Sequence, residues 1–246
     1  MKHLKFLAAV CCMAAVFAAC EKNDPSDNTN NNGTNTDQND GNSNTGSDNA
    51  TGTANGHEWV DLGLSVKWAT CNVGASKPEE YGNYYAWGET TPKDYYGWST
   101  YKWCKGSATT LTKYNTRSSY GTVDNKTVLE LADDAARANW GGAWRMPTDA
   151  EWTELRENCT WTWTTKNGVN GYEVKSNING NSIFLPAAGC RIDDVLSGAG
   201  NRGDYWSSSL GTDNPDFAWY VGFGSDDVGR SYYNRCCGLS VRPVCE

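Results

Sequence analysis

The chain has 246 residues, a formal net charge of −8, and a composition rich in glycine (26), tryptophan (12) and cysteine (10). An acidic chain of this kind does not draw in nucleic acid by long-range forces, and it carries neither a basic stripe nor a nucleic-acid-binding motif, so nucleic acid is excluded as a partner. Beyond the first few residues its only histidine is His57, which excludes a Ser–His–Asp catalytic set.

Lys2 and Lys5 precede an apolar run from Phe6 to Ala19. At 14 residues the run has the length of a signal-peptide core and is too short to span a bilayer. It ends in Phe17-Ala18-Ala19-Cys20, small residues before a cysteine, and the polar Glu21-Lys22-Asn23-Asp24 follows at once. The pattern resembles a lipobox. Residues 1–19 are therefore expected to be a signal peptide, with Cys20 lipidated and holding the protein to a membrane. The expected location is the outer membrane of a bacterial envelope, with the domain displayed at the cell surface; the periplasmic face is the alternative. Residues 21–56 are almost entirely Asn, Asp, Thr, Gly and Ser and carry a net charge of −5. Such a stretch buries too little apolar surface to offset chain entropy and is expected to be a disordered tether from Cys20 to Gly56. As a flexible coil, residues 21–56 would span roughly 30–36 Å.

Composition changes abruptly at His57-Glu58-Trp59, and residues 57–246 read as one domain with a core of its own. Strands are expected at Ser65–Thr70, Tyr84–Trp87, Ser182–Leu185, Tyr205–Ser208, Ala218–Phe223 and Leu239–Val244. One helix is expected over Lys126–Ala138, with Val128, Leu131, Ala132, Ala135 and Ala136 on one face and Gly141-Gly142 as its stop. A second begins at Thr148, where Thr148-Asp149-Ala150-Glu151 forms a capping box and Trp152 and Leu155 face the core. Strands around two helices predict an α+β fold. Asp133 and Asp134 sit poorly inside a helix, so a scaffolding role, by packing or hydrogen bonding with Arg145 or Arg242, is expected of them.

Seven cysteines lie in the domain: Cys71, Cys104, Cys159, Cys190, Cys236, Cys237 and Cys245. Some are expected to pair in an oxidising compartment, and the odd number leaves one over. With no CxxC pair or histidine cluster, zinc is not expected. Calcium is a faint candidate at Asp213 and Asp216, before Trp219, and at Asp226 and Asp227, after the next strand; no EF-hand spacing is present. No other cofactor is indicated. The aromatic run Tyr95 to Trp103 is the most suggestive segment for binding. Tyr96, Trp98, Tyr101 and Trp103 can stack on the C–H faces of sugars, and Trp161 and Trp163, two apart, share one face if extended. Trp68, Trp87, Trp144, Trp152, Trp206 and Trp219 are assigned to the core.

Seven ordered blocks carry a family resemblance. The stretch from Trp59 to Ala75 opens them, followed by Tyr81–Glu89, Asp133–Ala136, Trp144–Thr148, Phe184–Gly189, Tyr205–Ser209 and Gly238–Val244. Together they resemble the Fibrobacter succinogenes major paralogous domain, a family of Bacteroides-type lipoproteins without a settled biochemical function. The resemblance implies a C-type-lectin-like fold, related to formylglycine-generating enzymes, in which the first and last strands run side by side. It thereby implies a Cys71–Cys245 disulfide, and less firmly Cys190 with Cys236 or Cys237. Those enzymes use two spaced late cysteines, whereas Cys236 and Cys237 are adjacent here. The function expected is a non-enzymatic recognition module, with a glycan or an envelope protein as partner. The alternatives are an adhesion or structural component and a divergent enzyme.

Overall fold

The computed structural model describes residues 50–246. The expected signal peptide, Cys20 and most of the tether lie outside the described residues. Part of the segment that composition assigns to the tether is folded. Strand β1 (Gly52–Ala54) pairs antiparallel with β2 (His57–Val60), so residues placed in the tether belong to the domain. The hairpin turns on Asn55-Gly56, both at positive φ (47° and 80°), the backbone that a two-residue primed turn requires.

β2 pairs with β3 (Lys67–Ala69), and β3 pairs with the last strand of the chain, β12 (Val244–Cys245). A second sheet runs β4 (Cys159–Lys166), β5 (Val169–Ser176), β6 (Ser182–Pro186). A hairpin follows, β7 (Cys190–Ile192) with β8 (Val195–Ser197). In the third sheet β10 (Phe217–Phe223) lies between β9 (Gly203–Leu210) and β11 (Val228–Asn234). Strand residues make up 38% and helical residues 13% of the structure, so the fold is mainly β, and the α+β expectation is corrected. The two α-helices are short: α1 (Ala135–Trp140) and α2 (Asp149–Asn158).

α2 starts where the capping box places it. Thr148 accepts from the Glu151 N–H, and the Glu151 side chain accepts from the Thr148 N–H. The first helix is much shorter than its apolar spacing indicates. Leu129 lies in extended backbone and donates to Ser208 O at 3.0 Å, and Val128 bridges Ser209. Asp134 is the reason the helix begins late: its carboxylate caps α1 by accepting from the Arg137 N–H at 3.0 Å, and it also accepts from the Met146 N–H at 2.8 Å. Asp133 turns to Lys113 and to the Tyr114 hydroxyl at 2.7 Å. The two aspartates thus serve as scaffold, but toward backbone, Lys113 and Tyr114 rather than by hydrogen bonds to Arg145 or Arg242.

β9 divides the interior. Successive side chains on a strand point to opposite faces. Tyr205 therefore joins a core with Trp68, Trp152, Val221 and Phe223, while Trp206 joins another with Tyr85, Trp87, Trp144 and Leu239. The Trp152 indole donates to Trp206 O at 3.1 Å and ties α2 to this wall. Two arginines are wholly buried. Arg242 donates to Ala69 O, Thr70 O, Phe184 O and Asn72 Oδ1, and so fastens the chain beyond β3 to β6. Arg235 donates to the Tyr101 hydroxyl and to the carbonyls of Lys113, Tyr114 and Pro215.

Candidate functional site

The aromatic run 95–103 is used largely inside the domain. Tyr96 is 1% exposed and Tyr101 3%. Their hydroxyls donate to Tyr84 O at 2.6 Å and to Trp87 O at 2.7 Å. Trp98 is partly buried with its edge on Tyr101, and the partly buried Trp103 donates from its indole to Gly88 O at 2.7 Å. Lys102 and Lys113 stand over the Trp103 ring at 4.3 and 4.8 Å. The expected four-ring platform is therefore not assembled. These rings fill a long segment of irregular backbone that has few aliphatic residues, and burial is what aromatic side chains supply best there. Trp161 and Trp163 do share one face of β4, but both rest against Tyr172 and Phe223 and extend a core cluster.

The acidic candidates are split by the sheet. Asp213 and Asp216 precede β10, and Asp226 and Asp227 follow it. A seven-residue strand between them is about 23 Å long, so the four cannot share one ion. Asp213 pairs with Arg117 at 3.4 Å, and among the described residues no group of three potential ligands is placed to hold a metal.

The seven thiols of the domain are free. The first and last strands do lie side by side, but Cys245 stands opposite Lys67. Cys71 is four residues further along that path, about 13 Å away. A disulfide needs Cα atoms within roughly 7 Å, so the Cys71–Cys245 pairing is corrected. Cys236 and Cys237 are buried, and Cys190 is completely so. A hydrogen bond with Cys236, together with burial, raises the Cys237 thiol well above its ordinary value, and burial pushes Cys190 up to about 11. Such thiols are the reverse of activated nucleophiles.

Five of the six tryptophans assigned to the core are buried at 1% exposure or less; Trp219 is the exception. On β10, Phe217 and Trp219 stand on one face, and Tyr232 of β11 is the register partner of Trp219. Tyr232 is 50% exposed. Its ring meets Phe217 at 5.2 Å and Trp219 at 5.7 Å, both edge-on. The Arg230 guanidinium lies 3.4 Å from the Trp219 ring centroid and reaches Asp149 at 2.5 Å, at the first turn of α2. The three rings line a cavity of about 200 Å³, and its other wall is the loop Gly211, Thr212, Asp213 and Asn214. That loop is held from beneath, because Arg235 donates to Pro215 O and its own N–H donates to Asp216 O at 3.0 Å. The result is an aromatic shelf with a polar rim of hydroxyl, carboxylate and amide. Sequence reading passed over it because Trp219 was assigned to the core together with the five tryptophans that are buried. The signal present was the alternation Phe217-Ala218-Trp219 with Tyr232 in the next strand.

Comparison with family models, with curated proteins and with solved structures finds no match for this chain.

Proposed function

We propose that the chain is an envelope-anchored lipoprotein whose folded domain is a non-enzymatic recognition module for glycans, and that the sugar seats on the Phe217–Trp219–Tyr232 shelf. The observation that carries the reading is the open aromatic cavity beside Asp213 and Asn214. Rings of this kind stack on the apolar face of a pyranose, and the rim supplies acceptors and donors to its hydroxyls. The cavity is smaller than the 300–1,000 Å³ typical of sites for drug-sized ligands. It accommodates one ring, which fits the terminal residue of a glycan better than an extended chain. The buried, unactivated thiols support a binding role over thiol chemistry. The seven sequence blocks that resemble the Fibrobacter succinogenes major paralogous domain, and the lipobox-like leader, support anchoring at the envelope.

Glycan arrays probed with the chain from residue 20 onward, carrying Cys20→Ser, test the reading. Binding should appear, and Trp219→Ala should weaken it at least tenfold, about 1.4 kcal/mol. Absence of any glycan binding, or Trp219→Ala binding that equals the parent, would overturn it. Recovery of an envelope protein in place of a glycan would favour an adhesion role. Mass spectrometry of the protein purified from membranes should find acyl chains on Cys20. Protease treatment of intact cells should remove the domain if it stands on the outer face.

A further inference from the structure

A second cavity lies away from the shelf. It has a volume of about 450 Å³ and runs between the segment Gly82–Tyr96 and the β7 hairpin. Its charged lining is Lys93, Asp94, Arg191 and Asp194, set against the rings of Tyr84 and Tyr96. Lys93 is already committed: it pairs with Glu89 at 2.9 Å and donates to Thr100 O at 3.1 Å. Arg191 is not. Its guanidinium carbon lies 5.4 Å from the Tyr84 ring centroid, and it makes no hydrogen bond or ion pair with a described side chain or carbonyl. Asp94 and Asp194 likewise have no cationic partner among the described residues.

We propose that this groove binds a short peptide whose two termini are free, with the carboxylate on Arg191 and the ammonium between Asp94 and Asp194. A guanidinium over a tyrosine ring with its N–H groups uncommitted is well suited to a carboxylate. The neighbouring carboxylates oppose a ligand that is only anionic, and Arg191 opposes one that is only cationic. A ligand carrying both signs answers both groups. The walls are fixed in advance. Arg191 and Gly238 exchange backbone hydrogen bonds at 2.7 and 2.9 Å, and Tyr96 and Asp193 do so at 2.7 and 3.0 Å. The Tyr84 hydroxyl donates to Ala188 O at 2.6 Å. Little ordering is left for binding to impose. This site is independent of the glycan shelf.

The test is titration of the Cys20→Ser chain, from residue 20 onward, with alanyl-alanine, its N-acetylated form and its C-terminal amide, followed by calorimetry and by amide chemical shifts. The free dipeptide should bind and move the resonances of residues 82–96 and 190–194. Each blocked form should bind at least tenfold more weakly. Arg191→Ala should lose at least tenfold affinity, Asp194→Asn should lose affinity for the free dipeptide while gaining for the acetylated one, and Trp219→Ala should change nothing. The Arg191 backbone pairing does not involve its side chain, so the variant keeps the fold, and an unchanged amide spectrum elsewhere checks this. No binding of the free dipeptide at millimolar concentration, equal binding of the blocked forms, or an unaffected Arg191→Ala variant would each overturn the proposal.

Discussion

Trp206 and Trp219 lie on neighbouring strands, yet they answer to different demands. Trp206 is completely buried and donates from its indole to Tyr85 O at 2.8 Å. Truncation to alanine leaves a large cavity and removes one of the two donors to Tyr85 O, the other being the Leu239 N–H, so Trp206→Ala should cost about 3–5 kcal/mol of unfolding free energy. Trp219 is partly open to solvent and covered on one face by Arg230. Trp219→Ala should cost about 1 kcal/mol in the same urea titration while removing glycan binding. Equal losses at both positions would return Trp219 to the core. Arg242 shows what composition hides. A cation with no carboxylate partner in its shell is held by three carbonyls and Asn72. Replacement by leucine should cost about 3–5 kcal/mol, because those buried acceptors lose their only strong donor. The sequence placed Arg242 in a recognisable block, but its partners at Ala69, Thr70 and Phe184 come from distant parts of the chain that no local pattern connects.

At the level of elements, legibility followed how local the determining interaction is. The α2 capping box is written in four consecutive residues, and it stands as read. Thr148→Ala should cost about 1 kcal/mol in a denaturant melt. Glu151 adds a pH dependence. Burial works to raise its carboxyl, but the Arg145 guanidinium and the Thr148 N–H outweigh burial and leave it below the ordinary value. A carboxyl depressed in the folded state adds stability that is complete above its unfolded value, near 4.5, and is lost as pH falls through the lower folded one. Thermal melts between pH 5 and 2 should therefore show a falling melting temperature, and Glu151→Gln should flatten part of that fall. A parallel acid limb in parent and variant would deny Glu151 the role. The hairpins β1–β2 and β4–β5 were missed although both turn on Asn-Gly, at Asn55-Gly56 and Asn167-Gly168, each with positive φ at both residues. β1 and β2 are too short to show an apolar alternation, whereas in β4–β5 the alternation of Trp161, Trp163, Tyr172 and Val174 with polar residues was present and the Asn-Gly turn that joins the two runs was the signal left unused. The overlong first helix was the converse error. Its spacing was helical, but Ser208 and Ser209 of β9 take Val128 and Leu129 into extended pairing, and tertiary contact overrode propensity.

Across the whole molecule, the decisive contact joins the two ends of the domain. Val244 stands opposite Trp68 in β3, and its backbone also exchanges hydrogen bonds with Arg145 at 2.9 and 3.0 Å. The last strand thus ties the first sheet to the segment that leads into α2. Pairings between residues so far apart in sequence carry a large loop-closure cost before they contribute stability, so folding should be slow for a domain of this size. The pairing also cannot form until the segment that holds Val244 is present. Removal of Val244–Glu246 takes away one edge of β3, where Cys245 stands opposite Lys67, and it leaves the Arg145 backbone N–H and C=O without their Val244 partners. The truncated chain should lack a cooperative thermal transition and the near-ultraviolet signal of packed tryptophans, while substitution of Glu246 by alanine, a residue outside the pairing, should leave both intact. A cooperative transition in the truncated chain would show that β1, β2 and β3 hold the domain closed without β12.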